Sequence, residues 1–599
     1  MSNPNSSHTT PLVALRNCLH RQNLTGLIVP HADEYQNEYL PPCAERLAWL
    51  TGFTGSAGTA IVLNTQAAIF VDGRYTLQAA DQVDAAQFSR LHSGQTSPQE
   101  WLGTTAQASD RIGYDPRLHT PNELEQYQKA VQRIGATLIP CAANPIDDIW
   151  TDRPDPPMGL IRPHPESFAG QSSLTKRQEL TKKLVKECIG AAILTAPDSI
   201  AWLLNIRGGD VSHTPLPLSH AILYATGKVT LFVASLKISA DLMVHLGTDI
   251  TMAPPQAFET ALERLGQERQ RVLCDPARTN SWVFGLLEKQ GATIVKGDDP
   301  CALPKACKNE TEIRGAFAAH RRDAVAMCQF LAWLAKSSVC GGVTELEAAS
   351  FLDECRQKQP LWQDCSFPTI SGAGSNGAIV HYRSTPATNR RLEPGTLYLV
   401  DSGGQYLDGT TDITRTVGIG TPSAEHRDRY TRVLLGHIAL ATARFPEGTT
   451  GSQIDALARS PLWAAGLDYD HGTGHGVGSF LGVHEGPHRI AKGGNAVALR
   501  PGMIVSNEPG YYKAGAYGIR LENLVVVVPA STLSGADRPF LTFETITVVP
   551  FDRALIDTTL LSEEARRWLN AYHTRIWNEL QDMVEGETRT WLEDATQPL

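Results

Sequence analysis

The sequence predicts a chain of two α/β domains followed by a larger α+β domain. At 599 residues the chain is too long for a single hydrophobic core. Helix-like and strand-like segments alternate from residue 11 to about 150, and the alternation returns after a proline-rich connector at residues 154–165. A further break at residues 296–309 precedes a long region of mixed helices and short strands. The predicted domains are residues 1–160, 161–305 and 306–599.

Each domain contains segments with clear secondary-structure patterns. The first begins with an amphipathic helix, PLVALRNCLHRQN, followed by the strand candidates TGLIVP, TAIVLN and AAIFVDGRY. The second contains the strand candidates AAILTA, HAILYA and KVTLFVA, and no internal repeat is visible along the chain. In the third, Asn309 and Glu312 form a capping box before a helix whose apolar residues have helical spacing from Ile313 to Leu334.

Composition limits the class of protein. With 42% hydrophobic and 19% charged residues, the chain is typical of a globular protein. A net charge of −10 argues against a nucleic-acid partner, which would require a basic face. The eleven cysteines include no C-x-x-C pair, which indicates reduced thiols. The N-terminus has no signal-peptide pattern, and no apolar run reaches the roughly 18 residues of a membrane span. We expect a soluble, cytoplasmic protein without a membrane partner.

The segment HGTGHGVGSFLGVHEGPH, residues 471–488, contains a literal H-E-x-x-H match from His484 to His488. In a zinc peptidase this motif places two histidines one turn apart on a helix. Here Gly486 and Pro487 lie between the histidines, and proline inside a helix is unfavourable by about 3 kcal/mol or more. The segment is therefore not a zinc helix. Its glycines do not fit the G-x-G-x-x-G dinucleotide motif either.

Four acidic residues lie at or beside short apolar strands of the third domain. TLYLVDSGGQYLDGTTDITRTVGIG, residues 396–420, predicts two strands joined by a turn, with Asp401 ending the first and Asp412 in the second. PGMIVSNEPGYY places Glu508 at a strand end before a proline. GIRLENLVVVV, residues 518–528, predicts one strand in which Arg520 and Glu522 share a face.

Each acidic residue alone has a simple structural interpretation. Asp401 and Glu508 fit turn positions, and Glu522 fits a surface ion pair with Arg520. Together they indicate more, because four carboxylates beside apolar strands are very unfavourable without cations. Two carboxylates brought together also repel unless a cation lies between them. The pattern therefore favours a metal site.

The local sequences around these residues resemble a known family. Asp401, Asp412, His475, Glu508 and Glu522, in this order, are similar to the five ligands of the pita-bread metallopeptidases. SGAGSNGAIVHY, VDSGGQYLDGTTDITRT, HGTGHGVGSFLGVHEGP, NEPGYY and GIRLENLV resemble the cytosolic, three-domain Xaa-Pro aminopeptidases, as do LTGFTGSAGTAIV, VDGRYTLQAADQ and SIAWLLNIRGGDV upstream. The resemblance implies two creatinase-like N-terminal α/β domains and a C-terminal pita-bread catalytic domain.

The resemblance also implies how the ligands are shared. Asp412 and Glu522 would bridge two metal ions, Asp401 would complete one, and His475 with Glu508 would complete the other. Four carboxylates and one imidazole favour Mn²⁺ over metals selected by thiolates. The resemblance implies two manganese ions per subunit, and the residue types also allow zinc or cobalt.

Further residues are assigned by the same resemblance. His381 and His484, together with Glu508, are the predicted catalytic residues. Arg74 in DGRY is predicted to frame the entrance of the site, and His488 is predicted to be inert. The residues predicted to bind substrate are His381, His471, His484, Arg520 and Arg74.

The implied activity is release of the first residue from short peptides with proline at the second position. A hydroxide bridging the dimetal centre would attack the carbonyl group before proline, with Glu508 shuttling the proton. A homodimer is expected. The alternatives are a prolidase limited to Xaa-Pro dipeptides, a metal-free pita-bread protein that binds peptides or histones, or a metal-free hydrolase resembling creatinase. The length and the residue 550–599 tail favour the aminopeptidase, and competent residues at all five ligand positions argue against the metal-free alternatives.

Overall fold

The structure, a computed structural model, describes residues 10–338, 342–531 and 535–599. Its helices are α1 Pro11–Arg21, α2 Arg46–Thr51, α3 Thr76–Gln82, α4 Pro98–Thr105, α5 Pro121–Ile134, α6 Glu166–Ala169, α7 Ser173–Lys186, α8 Pro197–Leu204, α9 Ala240–Leu246, α10 Ala257–Gln267, α11 Ser281–Gln290, α12 Ala302–Ala306, α13 Glu310–Ser337, α14 Glu345–Gln357, α15 Ala424–Ala441, α16 Gly451–Trp463, α17 Glu563–Leu580 and α18 Gly586–Ala595.

The strands are short, most of them between two and six residues. They are β1 Gly26–Pro30, β2 Thr59–Leu63, β3 Ala67–Val71, β4 Ser89–His92, β5 Arg111–Tyr114, β6 Thr137–Pro140, β7 Arg162–Pro163, β8 Ala191–Leu194, β9 Ile206–Arg207, β10 His220–Tyr224, β11 Val229–Phe232, β12 Ile250–Ala253, β13 Arg271–Cys274, β14 Thr293–Lys296, β15 Trp362–Cys365, β16 Ile370–Ala373, β17 Leu397–Ser402, β18 Gly404–Tyr406, β19 Gly409–Thr410, β20 Ile413–Gly418, β21 Arg444–Pro446, β22 Gly474–Gly476, β23 Glu485–Ile490, β24 Ile504–Asn507, β25 Gly510–Lys513, β26 Tyr517–Arg520, β27 Asn523–Pro529 and β28 Phe540–Thr545.

The chain forms two compact units. The first contains the described residues up to Pro163, together with Ser172–Ser212 and Leu216–Cys301. The second contains Ala302–Leu599 and two short upstream segments, His164–Gln171 and His213–Pro215. Residues from the predicted connector and second domain thus contribute to the second unit.

Two six-stranded sheets of the first unit repeat one topology. Their strand orders are β4-β3-β2-β1-β5-β6 and β12-β11-β10-β8-β13-β14. In each sheet the second, third and fourth strands pair antiparallel, and the remaining neighbours pair parallel. The strand segments predicted from the sequence are β1, β2, β3, β8, β10 and β11. The structure therefore contains an internal repeat that the sequence did not reveal.

The helices begin where the sequence provides capping groups. Thr10 accepts a hydrogen bond from the backbone N–H of Val13 at the start of α1. The predicted capping box is present at α13, where Asn309 and Glu312 satisfy each other's backbone N–H groups. One face of α13 is buried and packs with α14, α17 and α18 in the main core of the second unit. The helix prediction is confirmed.

The predicted acidic hairpin is more elaborate than a two-strand turn. β17 and β20 pair antiparallel, with Asp401 opposite Thr414. Between them, β18 and β19 form a second small hairpin that pairs with β15 in a different sheet. Asp412 lies just before β20 rather than within it. The residues between the two acidic positions therefore belong to a second sheet.

The prediction of one strand over residues 518–528 is wrong. β26 ends at Arg520 and β27 begins at Asn523, because β26 pairs with β25 whereas β27 pairs with β24 and β28. The chain passes from one sheet to another at Leu521 and Glu522. This break places Glu522 between two sheets.

The ten cysteines within the described ranges are free, which agrees with the prediction of reduced thiols, and Cys340 lies outside those ranges. Residues 1–9, part of the segment read as lacking a signal peptide, also lie outside them. Among the described helices, none combines the length and apolar character needed to cross a membrane.

Candidate active site

The predicted ligands lie at or near strand ends in the second unit. Asp401 lies near the end of β17, Asp412 directly precedes β20, and His475 is the middle residue of β22. Glu508 directly follows β24, and Glu522 lies between β26 and β27. Asp412, His475 and Glu522 each offer a ligand atom, and these three atoms all lie within 4.8 Å of one another. The strands thus converge on one point.

His475 has one ring nitrogen facing the carboxylates. Its Nδ1 lies 3.0 Å from the carbonyl oxygen of Gly476 and donates to it. Its Nε2 lies 3.5 Å from Oδ2 of Asp412 and 3.5 Å from Oε1 of Glu508. Metal-binding imidazoles are commonly held in this way, with the other nitrogen donating to a carbonyl group.

A close approach of backbones explains one glycine of this segment. A Cβ on Gly474 would lie 2.0 Å from the carbonyl oxygen of Ser506, so only glycine fits there. The Ser506 hydroxyl accepts from the backbone N–H of His475 at 2.9 Å and lies 3.2 Å from Oε1 of Glu508, to which it donates. The backbone N–H of Glu508 donates to the carbonyl oxygen of Thr473. The glycine therefore helps to bring His475 and Glu508 together.

A chain of hydrogen bonds runs along one side of the cluster. Nη2 of Arg520 donates to Oδ2 of Asp401, and Nη1 donates to the hydroxyl of Tyr512, each at 2.6 Å. That hydroxyl lies 2.8 Å from Nε2 of His471. Nδ1 of His471 is 4.0 Å from Oε2 of Glu508. The guanidinium thus holds a carboxylate of the cluster, and the assignment of Arg520 to substrate binding stays a prediction.

Thr414 connects two of the strands that carry acidic residues. Its hydroxyl donates to Oε2 of Glu522 at 2.8 Å and accepts from Nε of Arg520 at 3.2 Å. Its carbonyl oxygen accepts from the backbone N–H of Glu522. Arg520 and Glu522 therefore share one side, as residue alternation predicted, although the strand is broken between them.

The electrostatics of the cluster favour added positive charge. Burial raises the pKa of Asp401 to about 6, with Arg520 opposing this effect and Asp412 adding to it. Burial and the neighbouring carboxylates raise the pKa of Glu522 well above its usual range. Burial also raises the pKa of Glu508, against the opposing charge of His475. Although burial disfavours the imidazolium, the hydrogen bond to Asp412 and the charge of Glu508 raise the pKa of His475 to about 9.

These side chains fit a site for divalent cations. Oδ1 of Asp401 is buried and has no hydrogen-bond partner. An orphaned carboxylate oxygen in this setting is unfavourable unless a cation binds it. Carboxylate oxygens with one imidazole nitrogen form the hard donor set that Mn²⁺ accepts. Asp401, Asp412, His475, Glu508 and Glu522 are therefore suited to hold metal.

Two of the predicted pocket histidines lie beside this cluster. The ring of His484 packs edge-on against the ring of His475, with 4.3 Å between centroids. His471 contacts Tyr512 and approaches Glu508 as described above. Their roles toward substrate stay predictions.

His381 lies in a segment that a buried glutamate organises. Glu345, at the start of α14, accepts hydrogen bonds from the backbone N–H of Ala373, the side-chain amide of Asn376 and the hydroxyl of Tyr382. His381 directly precedes Tyr382 and is half-buried. The segment packs against β26 so closely that a Cβ on Gly518 would lie 1.7 Å from the carbonyl oxygen of Gly377. The role of His381 stays a prediction.

Arg74 belongs to the first unit. Its guanidinium pairs with both carboxylate oxygens of Asp72, at 2.9 and 2.7 Å. Although burial opposes the charge, this pairing raises the pKa of Arg74. The contact fixes the side chain within its own turn, and its assignment to the entrance of the site stays a prediction.

The H-E-x-x-H match is not a helix. Residues Glu485–Ile490 form β23, as the intervening proline predicted. Glu485 points into a buried ion cluster, where Lys305 and Lys308 lie 2.8 and 2.5 Å from its carboxylate oxygens. Nε2 of His488 donates to the carbonyl oxygen of Ile504, and burial lowers the pKa of His488 to about 4. The glutamate and the second histidine of the match therefore have structural contacts.

Sequence reasoning missed several residues that support the site. Thr414 and Ser506 lie two residues from predicted ligands, in the strands that Asp412 precedes and Glu508 follows, but a hydroxyl in a strand gives no signal of its own. Tyr512 lies within the quoted NEPGYY string and was not assigned a role. Glu345 is distant in sequence from the segment that it holds, so only the fold reveals its contacts.

Family comparisons agree with this fold and site. Residues 315–529 match metallopeptidase family M24, and residues 539–599 match the C-terminal region of that peptidase. Residues 12–149 and 152–312 match two models of the creatinase/prolidase N-terminal domain. The predicted fold class, two creatinase-like domains and a pita-bread domain, is confirmed.

Relatives that match over their full length show which peptidases of this family the chain resembles. The chain is 38% identical to a probable Xaa-Pro aminopeptidase P of Aspergillus fumigatus over 99% of this chain and 93% of the relative. It is 37% identical to one of Aspergillus niger, covering 98% of each. An X-prolyl aminopeptidase of Caenorhabditis elegans, described as a cytosolic enzyme with a di-nuclear active site, superposes with a TM-score of 0.93 at 32% identity, covering 98% of this chain and 99% of that one. This chain therefore belongs to the Xaa-Pro aminopeptidases of metallopeptidase family M24.

A solved prolidase structure is similar to this chain in fold. A prolidase of Thermococcus sibiricus superposes with a TM-score of 0.51 at 23% identity, covering 64% of this chain and 98% of that one. The structural relationship to the prolidases is thus more distant and covers a smaller part of the chain.

Proposed function

We propose that this protein is a metal-dependent aminopeptidase that releases the first residue from peptides with proline at the second position. The observation that carries the proposal is the convergence of Asp412, His475 and Glu522, with Asp401 and Glu508 at the edges of the same cluster. Full-length similarity to Xaa-Pro aminopeptidases supports the substrate class.

The five clustered side chains would hold two divalent cations, as in the di-nuclear site attributed to the Caenorhabditis elegans enzyme. We propose Mn²⁺, because the donors are four carboxylates and one imidazole. A cation pair bound there supplies Lewis acidity and generates a nucleophile from water at neutral pH.

The protein's own residues would then bind and orient the peptide. Glu508 is the proposed carrier of the proton during hydrolysis, and burial raises the pKa of its carboxyl group in the metal-free protein. His484, whose ring packs on that of His475, is the proposed donor of a hydrogen bond to the carbonyl oxygen under attack or to the leaving group. His381, His471 and Arg74 are the proposed further contacts with the peptide.

The scissile bond explains why a dedicated enzyme is needed. Its leaving group is the ring nitrogen of proline, which has no N–H and whose ring fixes φ near −65°. A pocket shaped for this ring selects proline at the second position and disfavours a flexible residue. We also propose that the enzyme is a cytoplasmic homodimer.

The decisive experiment compares two peptides. Purified protein with Mn²⁺ should release arginine from Arg-Pro-Pro and not from Arg-Ala-Ala, measured by mass spectrometry of the products. Glu508→Gln serves as the inactive control. Equal turnover of both peptides would remove the claim of proline specificity, and turnover by Glu508→Gln equal to that of the wild-type enzyme would indicate a contaminating peptidase.

The dipeptide Arg-Pro separates this proposal from a prolidase. The aminopeptidase should prefer Arg-Pro-Pro, because its site must accept a chain that continues beyond proline. A prolidase would cleave Arg-Pro and leave the tripeptide intact. Elemental analysis of the isolated protein, together with its molar mass in solution by light scattering, tests the manganese pair and the homodimer.

A further inference from the structure

A buried polar layer lies behind the two glutamates of the candidate metal site. β24 ends at Asn507, directly before Glu508, and β27 begins at Asn523, directly after Glu522. Asn507 and Asn523 lie opposite each other in the β24–β27 ladder and are completely buried. The two glutamates therefore leave the sheet at the same level, from neighbouring strands.

His437 of α15 contacts both strands at this level. Nδ2 of Asn507 donates to the backbone carbonyl oxygen of His437 at 2.9 Å. Nδ2 of Asn523 lies 3.2 Å from Nε2 of His437 and donates to it. Nδ1 of His437 lies 3.3 Å from the carbonyl oxygen of Leu521 and donates to it. One completely buried residue thus contacts the residues on both sides of Glu522 and the residue before Glu508.

The imidazole ring of His437 is neutral, and one ring nitrogen donates a hydrogen bond while the other accepts one. Burial and the nearby guanidinium of Arg415 lower the pKa of His437 to about 3. Because the acceptor of Nδ1 is a carbonyl group and the donor to Nε2 is an amide, one tautomer satisfies both contacts. A neutral histidine therefore satisfies the hydrogen-bonding needs of both Leu521 and Asn523.

Arg415 extends the layer on the other side of Glu522. Its Nη1 donates to the carbonyl oxygens of Glu522 and Thr414, at 2.6 and 2.8 Å. Its Nη2 donates to Oδ1 of Asn523 at 2.8 Å. This places a buried cation behind the acidic cluster, and it also fixes the amide orientation of Asn523 that presents Nδ2 to His437.

Residues of the C-terminal region pack against Arg415 and His437 in this buried polar layer. Arg415 also donates to the carbonyl oxygens of Val549 and Pro550, at 2.6 and 3.0 Å. The ring of Phe551 packs edge-on against His437, with 5.3 Å between centroids. The hydroxyl of Tyr572 in α17 donates to the carbonyl oxygen of Val549. Residues 539–599 thus contribute directly to the support of the candidate metal site.

We infer that His437 is a positioning residue for Glu522, because its ring holds the backbone carbonyl group of Leu521 and the side-chain amide of Asn523 on either side of that glutamate. The backbone carbonyl group of His437 also holds the side chain of Asn507, directly before Glu508, so that the two carboxylates face the same point. The inference rests on the proposed function, since it assumes that these glutamates bind metal. Hydrogen bonds behind metal ligands commonly change metal affinity by about 10- to 100-fold. The role is mechanical and requires no change in protonation of the ring.

The test measures metal affinity separately from activity. His437→Phe in the full-length protein removes both ring hydrogen bonds while retaining a planar aromatic side chain. After metal removal, titration with Mn²⁺ by calorimetry should show affinity reduced by about 10-fold or more. At saturating Mn²⁺, KM for Arg-Pro-Pro should stay close to the wild-type value while kcat falls. His437→Gln, which retains a donor and an acceptor, should recover part of the lost affinity.

A matched control separates positioning from general stability. His119 of the first unit is also a completely buried histidine, and its Nδ1 lies 3.2 Å from Oε2 of Glu123. His119→Phe should lower the melting temperature and leave Mn²⁺ affinity unchanged. Equal Mn²⁺ affinity in His437→Phe and wild type would overturn the inference.

A second variant tests the same contact. If His437→Phe does not fold, the nearly isosteric Asn523→Leu is measured instead, since it removes the donor to Nε2 of His437, together with the acceptor for Nη2 of Arg415, while leaving Glu522 in place. Unchanged Mn²⁺ affinity in Asn523→Leu would also overturn the inference. If the wild-type protein itself binds no Mn²⁺ and cleaves no Arg-Pro-Pro, the proposed function fails instead.

Discussion

The guanidinium of Arg520 donates to the carboxylate of Asp401 across 2.6 Å, joining residues 119 positions apart in the sequence. Both side chains are buried, and the other nitrogens of the guanidinium reach the hydroxyls of Tyr512 and Thr414. One side chain therefore orients Asp401 and connects it through Tyr512 to His471. This contact replaces the surface ion pair with Glu522 that the sequence left open for Arg520.

The first prediction concerns the shape of this cation. Arg520→Lys retains the charge but cannot reach Asp401, Tyr512 and Thr414 at once, because lysine lacks the planar fork of arginine. We expect kcat/KM for Arg-Pro-Pro to fall by roughly 10- to 100-fold, equivalent to the loss of about 1–3 kcal/mol of hydrogen bonding. Steady-state kinetics at saturating Mn²⁺ measure the effect. Tyr512→Phe, which removes one hydroxyl, should cause a smaller loss, and unchanged kinetics in Arg520→Lys would contradict the assigned role.

The second prediction separates two histidines of one segment. His475→Ala removes the imidazole whose Nε2 faces Asp412 and Glu508, so activity should be abolished. His488→Ala removes a hydrogen bond to Ile504 in the core, so it should lower stability by about 2 kcal/mol and leave activity per folded molecule close to wild type. Denaturant unfolding and peptide cleavage measure the two effects. A His488→Ala enzyme that folds but is inactive would show that His488 belongs to the site.

Local patterns were sufficient for the elements that carry the acidic residues. The apolar strands, the capping box at α13 and the incompatibility of Pro487 with a helix all follow from short stretches of sequence. The five clustered residues were identified because their local strings resemble a known family and because buried carboxylates require compensation. Each of these signals lies within a short, continuous stretch of sequence.

Long-range contacts explain what the sequence could not predict. The break between β26 and β27 depends on which strands pair on each side, since the apolar alternation of residues 518–528 continues through it. The repeated topology of the two sheets in the first unit is encoded by different side chains, so no sequence period reveals it. The contacts of Glu345, His437 and Arg415 likewise join segments that are remote in sequence.

The third prediction concerns the buried ion cluster after His484. Lys305, Lys308 and Glu485 are all buried, and although burial opposes ionisation, the two lysines hold the pKa of Glu485 below its usual range. Glu485→Gln removes the only acidic member of this trio and leaves two buried ammonium groups beside a neutral amide. We expect a loss of about 3–5 kcal/mol in the free energy of unfolding at pH 7.

An exposed ion pair provides the control for this variant. Lys336 and Glu587 lie 2.7 Å apart with side chains that are 70% and 79% exposed. Glu587→Gln should change the free energy of unfolding by less than about 1 kcal/mol. Urea unfolding of both variants measures the difference. Equal, small effects would show that the lysines of the buried cluster find other compensation.

The fourth prediction concerns pH and metal removal. In the metal-free protein, burial raises the pKa values of Asp401, Glu508 and Glu522, so the folded state holds more protons than the unfolded state. Stability therefore falls as pH rises above the unfolded values of about 4. His475 acts in the same direction, since its pKa is raised to about 9 and its contribution, complete below about 6.5, is lost through pH 9.

Divalent cations replace those protons, and their affinity increases as the ligands deprotonate. The rise in melting temperature on adding Mn²⁺ to metal-free protein should therefore be larger at pH 8 than at pH 6, as measured by scanning fluorimetry. Glu485 does not interfere, because its lowered pKa keeps it ionised throughout this range and its contribution is lost only as pH falls. His475→Ala should show a smaller Mn²⁺ effect at both pH values. A Mn²⁺ effect on wild-type protein that is equal or smaller at pH 8 would indicate that the cation is not held by these titrating groups.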